Sequence, residues 1–308
     1  MHFGIFYLSL VIELRKNAER TFMERYNPIV IFVYFIVTSG IAMLCMNPVI
    51  QMIGLLGALL FCLVRRTHKG GHLRMLGLAA IVLIVNLLFT HNGATVIFFL
   101  NGNPITQEAI LYGAVCGIML LAMLYWFRSF SALMTSDKIL FLLKSLSPKL
   151  ALVLSMALRY VSLFTSQWQK TSQAQKAMGM IRDDGIISRI QGGIRVFSVT
   201  LTWALENGIV TADGMAARGY GSGKRTSFAL YRFHRRDGIV LSVIGVLFLA
   251  ATAGILSGAA AYQYYPIFTV RYDLPAMLTY GVYAVLVALP SAIEAGETIK
   301  WKYLQLKI

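Results

Sequence analysis

Six apolar stretches of membrane length constrain this chain more than any other feature, at residues 29–46, 49–64, 75–90, 108–127, 238–257 and 274–290. An α-helix rises about 1.5 Å per residue, so roughly 17–25 apolar residues cross a bilayer core. Only 13% of the 308 residues are charged, where an ordinary soluble domain carries about 25%. The fold class is therefore an all-α polytopic membrane protein with about six transmembrane helices.

Basic residues set the expected orientation. With a cytoplasmic N-terminus and six alternating helices, every Lys and Arg except Arg271 falls inside. Long segments obey the positive-inside rule poorly, yet the short flanks alone hold 11 basic residues inside against Arg271 outside. Both termini are expected in the cytoplasm of a multi-pass cell-membrane protein. The net charge of +15 is accounted for by basic flanks facing anionic lipid. No basic-aromatic module accompanies it, so nucleic acid is not an expected partner. Cys45, Cys62 and Cys116 fall within the apolar stretches and read as small buried hydrophobes. The apolar run Phe3–Ile12 lacks a basic leader and a small-residue cleavage site, and reads as an interfacial helix.

The stretch between the fourth and fifth spans is different in kind. The chain divides into 1–127, an interfacial segment and four spans; 128–237, a cytoplasmic module; and 238–308, two spans and a basic tail. Within the module, Ser136-Asp137 can cap a short amphipathic helix, and Ser147 before Pro148 is a good N-cap and first-turn pair. A long helix then runs to about Met178, stopped by Gly179. Asp183-Asp184-Gly185 marks a turn, and a second long helix runs from about Ile186 to Arg218, stopped by Gly219. An alternative makes one of the two a seventh span. Arg159 and Arg195 argue for cytoplasmic or interfacial packing, because an unpaired membrane arginine is costly. Ala177-Met178-Gly179 and Ala217-Arg218-Gly219 form a short repeat 40 positions apart.

Two chemistries are testable against DGMAARGYGS, residues 213–222. Its opening resembles the motif of membrane CDP-alcohol phosphotransferases, which needs a glycine and two further aspartates at four-residue steps to share metals. Those positions hold Ser227, Tyr231 and Arg235, so the metal site cannot be built. A phosphate loop would need glycine at Arg218 and Ser or Thr at Arg225, after a strand. His68 and His72 are separated by Gly70-Gly71, which argues against a helix presenting both to a metal. A proton- or sodium-coupled carrier would carry charge inside its spans. Here Glu108 sits at a mouth and Glu294 lies beyond the last predicted span.

Three blocks resemble one family, the transmembrane T component of energy-coupling factor (ECF) transporters. They are GATVIFFLNGNPITQEAILYG (93–113), MTSDKILFLLKSLSPKLALVLSMALRYV (134–161) and TWALENGIVTADGMAARGYGSGKRTSF (202–228). The resemblance implies a non-catalytic subunit of a vitamin or metal-ion importer, with two long crossing coupling helices docked on a pair of ABC-type ATPases. ATP and magnesium would sit in those partners, with no cofactor in this chain, and a small membrane S component would bind the substrate. It further implies docking through Ala217, Arg218 and Gly219 at one helix end and Ala177, Met178 and Gly179 at the other. Taken alone, a helix-end arginine before a glycine also complements the macrodipole. The first signature departs from the family pattern, with Met178 where an arginine is expected. Met178 and Met180 suit an apolar groove; alternatively Arg182 supplies the charge. Met156, Phe164, Phe197 and Trp203 would face the substrate subunit. The C-terminal span exceeds the family's expected five. A self-contained permease is the second reading.

Overall fold

The computed structural model describes residues 26–64, 71–90, 93–100, 103–180, 185–223, 231–265 and 273–305. The Phe3–Ile12 run, His68, Arg182 and Arg271 lie outside them. The elements in chain order are α1 (Pro28–Leu44), α2 (Pro48–Val64), α3 (His72–Phe89), β1 (Val96–Leu100), β2 (Asn103–Thr106), α4 (Gln107–Leu133), α5 (Ser136–Leu146), α6 (Pro148–Ala177), α7 (Ile186–Ala217), α8 (Arg235–Leu256) and α9 (Leu274–Gln305). They divide into two compact units: Ser136–Leu230, holding α5 to α7, and the segments on either side of it.

The first unit is a helix bundle with an aromatic centre. Tyr34 and Phe35 of α1, Phe61 of α2 and Trp126 of α4 meet with ring centroids 5.4–6.5 Å apart. Small residues let the helices approach, as membrane helix pairs require. A Cβ at Gly57 would overlap Val287 Cγ1 of α9, and one at Gly54 would lie 3.2 Å from the Tyr283 hydroxyl. On α4, Gly113 and Gly117 face the α3 carbonyls of Leu83 and Ala79 in the same way. Polar groups stitch these contacts. The Tyr34 hydroxyl donates to the Val287 carbonyl at 3.3 Å, and Tyr283 donates to the Thr38 carbonyl at 3.4 Å. Asn47 donates to the Ala260 carbonyl and the Tyr280 hydroxyl at 3.0 and 2.9 Å. Asp237 closes a capping box at the start of α8 and also accepts from the Asn27 N–H, tying the starts of α1 and α8 together.

The six predicted spans correspond to α1, α2, α3, α4, α8 and α9, with three differences. Among the described residues, five helices are long and apolar enough to cross a membrane: α3, α4, α6, α8 and Leu274–Gly296 of α9. α1 and α2 are apolar but only 17 residues each. The presence of α6 in that set means that length and composition alone do not separate it from the bundle helices. α9 does not stop near Pro290 but continues through it to Gln305. Proline removes one intrahelical bond and clashes with the preceding turn, so the sequence pattern ends there while the helix does not. Glu294 is thus a buried carboxyl inside the last candidate span, not beyond it. Finally, the segment before α4 is an antiparallel hairpin, with Val96 paired to Thr106 and Leu100 to Asn103. Glu108, in the first turn of α4 and 1% exposed, accepts from the Thr95 hydroxyl at 2.7 Å.

The close approach at Gly57 gives a direct test. Gly57→Val should cost about 1–3 kcal/mol through overpacking, read as a lower melting temperature of the detergent-purified protein. Gly245→Ala, whose new Cβ meets nothing within 4 Å, should leave it unchanged or raise it.

Candidate functional site

The second unit carries the motif residues singled out above. α6 starts at Pro148 as its turn chemistry predicts, although the Ser147 side chain makes no capping bond. Ser136 opens α5 from inside the helix instead of capping it. α6 and α7, of 30 and 32 residues, are each about 45–50 Å long.

Contacts between the two helices pair early residues of α6 with late residues of α7, so they are antiparallel neighbours. The Tyr160 hydroxyl on α6 reaches the Asn207 carbonyl at 3.1 Å and Thr211 Oγ1 at 2.7 Å on α7. Gly192, Val196 and Thr200, spaced four apart, form the buried stripe of α7. On α6 the buried positions are Ala151, Thr171 and Gln175.

Both helices end in the same backbone structure. On α6, the N–H groups of Met178, Gly179 and Met180 donate to the carbonyls of Ala174, Lys176 and Gln175, each at 3.0 Å. On α7, Arg218, Gly219 and Tyr220 donate to Gly214, Ala216 and Met215 at 3.3, 2.9 and 3.0 Å. Every donor and acceptor recurs 40 positions later. This is the Schellman motif, which needs a left-handed residue after the cap. Gly179 and Gly219 supply it, with φ of 72° and 75°. Met178 and Arg218 are therefore equivalent cap residues, and both are exposed.

The surroundings of the two ends differ. Arg218 lines a cleft of about 480 Å³ together with Arg159, Tyr160, Asn207, Gly214 and Met215. No Asp or Glu lines it, and neither guanidinium has a carboxylate partner among the described residues. A more apolar cleft of about 450 Å³ includes Leu152, Met156, Ala212, Ala216 and Tyr220. At the other end, Arg195 of α7 donates from Nη1 to the Met180 carbonyl at 3.4 Å. Ala177 and Ala217 are exposed on the last turns.

The remaining motif residues are dispersed. Met156 borders both clefts. Phe164 pairs with Trp168 on its own helix, centroids 6.4 Å apart, while Phe197 is half exposed and Trp203 partly buried. Among the described residues no three His, Cys, Asp or Glu side chains gather as a metal site. Asp213 is exposed on α7, and His72 contacts the Tyr125 hydroxyl at 2.8 Å. After α7 the chain turns through Gly219–Ser222, where the Ser222 hydroxyl donates to the Gly219 carbonyl.

A sequence model of the family described as CbiQ, cobalt transport protein, matches residues 19–228. The chain belongs to the CbiQ family. It is also 28% identical over 191 residues to the "energy-coupling factor transporter transmembrane protein EcfT" of Lacticaseibacillus paracasei, covering 57% of this chain and 72% of that protein. The resemblance read from the three motif blocks is borne out. A CbiQ family protein is a transmembrane component of a transporter, and the membrane character read from the apolar stretches agrees with it.

Sequence reasoning missed the Tyr160 bridge and the cleft shared by Arg159 and Arg218. The available signal was Asn207 and Thr211, polar residues one turn apart on an apolar helix. Tyr160→Phe should remove about 0.5–1.5 kcal/mol of local stability. Hydrogen exchange of amides 205–215 should then quicken by about fivefold, with the amides of α1 and α2 unchanged.

Proposed function

We propose that this CbiQ family protein is the coupling subunit of an ECF importer, carrying ATP-driven motion from two ABC-type ATPases to a separate membrane S component. The observation that supports the reading best is the pair of matched helix ends. A subunit gripped by two related ATPases needs two related handles, and the caps at Met178 and Arg218 share one backbone geometry. Arg218 is exposed and lacks an internal carboxylate partner among the described residues. Its planar fork is suited to pair bidentately with an acidic group in a partner's groove.

The S component would cover apolar surface of α6 and α7. Val153, Val161, Ile194, Leu205 and Ile209 are all more than half exposed, an arrangement that marks a membrane or partner face. Phe164, Phe197 and Trp203 lie on the same helices. ATP hydrolysis, with its magnesium, belongs to the partners in this reading, because the chain has no phosphate loop. Both termini would face the cytoplasm, from the distribution of basic residues.

Arg218→Glu should lower ATPase co-purification by about tenfold or more and abolish uptake, with membrane insertion intact. Normal ATPase binding and uptake by that variant would refute docking through Arg218. A self-contained permease would instead transport substrate when the chain is reconstituted alone.

A further inference from the structure

We infer that Arg195 supplies the docking cation of the first helix end, delivered from α7 to the position that Met178 leaves uncharged. The inference rests on the docking reading above and assigns a residue to it. The two caps match bond for bond, so the difference between them is in side chains. At the second end the cap residue itself carries a guanidinium. At the first end the cap is Met178, 61% exposed, and Arg195 reaches the carbonyl two residues beyond it. Arg195 is exposed and has no carboxylate partner among the described residues. A guanidinium has five N–H donors, so one bond to the Met180 carbonyl leaves the others for a partner's carboxylate.

The placement also fixes the spacing of the two docks. Arg195 and Arg218 lie about 35 Å apart along α7 at about 1.5 Å per residue. One helix would therefore hold both cations, and α6 would contribute its cap and the apolar Met178 and Met180 side chains. Lys176, in the last turn of α6, is a competing cation, but an ammonium lacks the planar fork that pairs bidentately with a carboxylate.

The test uses the full chain in detergent with the ATPases that co-purify with it, measuring ATPase affinity and the melting temperature of the chain alone. Arg195→Met should weaken ATPase binding by about tenfold while the melting temperature holds. Adding Met178→Arg to that variant should restore binding, because it returns a guanidinium to the cap. Lys176→Met and Arg182→Met should each retain more affinity than Arg195→Met. Wild-type binding by Arg195→Met would overturn the inference. So would failure of Met178→Arg to restore it, a larger loss in Lys176→Met or Arg182→Met, or a fall in melting temperature that accounts for the loss. Arg218→Glu separates the two levels: if it too keeps full ATPase binding, the docking reading itself has failed. If it alone loses binding, only the assignment of Arg195 is wrong.

Discussion

The bundle depends on the approach of α2 to α9 across Gly54 and Gly57. Where a Cβ at Gly57 would overlap Val287, the helices are close enough for side chains on α1 to reach the backbone of α9. Tyr34 does so at the Val287 carbonyl, and Tyr283 returns the contact at the Thr38 carbonyl. In hydrocarbon, polar groups without partners are costly, so these bonds form only if the spacing is right. Close glycine packing and polar stitching are then one device: the first sets the distance at which the second is possible. Pro290 lies in the same stretch of α9. The helix continues through it because α9 packs against neighbours there, which tolerate the lost backbone bond.

How much of this was legible follows from what kind of information each feature needs. The ends of α6 and α7 were readable to about one residue, since Pro148, Gly179, Gly185 and Gly219 act locally through φ and capping. The apolar helices of the bundle were readable because solvent, not neighbours, selects an apolar stretch. The hairpin was not recognised, because VIFFL, between the third and fourth apolar stretches, is a continuous apolar run with no period-two alternation. Asn101-Gly102, flanked by strand-forming residues, was the available hairpin signal. The end of α9 was misread because the apolar pattern stops at Pro290 while the helix runs on to Gln305. The Tyr160 bridge and the arginine cleft join residues more than 40 positions apart, so Asn207 and Thr211 could signal a polar contact but not its partner.

The paired helix ends show how a backbone signal and a side-chain signal separate. A Schellman cap demands glycine at one position and is indifferent to the cap side chain one residue earlier. That freedom lets Met178 and Arg218 occupy equivalent sites without disturbing either helix. The repeat at 177–179 and 217–219 is weak as sequence because it preserves only alanine and glycine. As structure it is strong, because three hydrogen bonds recur in register.

The same helices carry a second tension. α6 is apolar enough to qualify as a span, yet it contains Arg159 and a polar second half. Burying an isolated arginine at a bilayer centre is expensive, while leaving Val153, Val161 and their α7 counterparts in water is also costly. Both costs fall if the apolar face is covered by protein or lipid while Arg159 opens onto the cleft it shares with Arg218. A helix pair with such faces is poorly suited to stand alone in either solvent. That is the physical sense in which α6 and α7 would suit partners: their sequence matches neither water nor membrane throughout, and an interface would supply the missing environment.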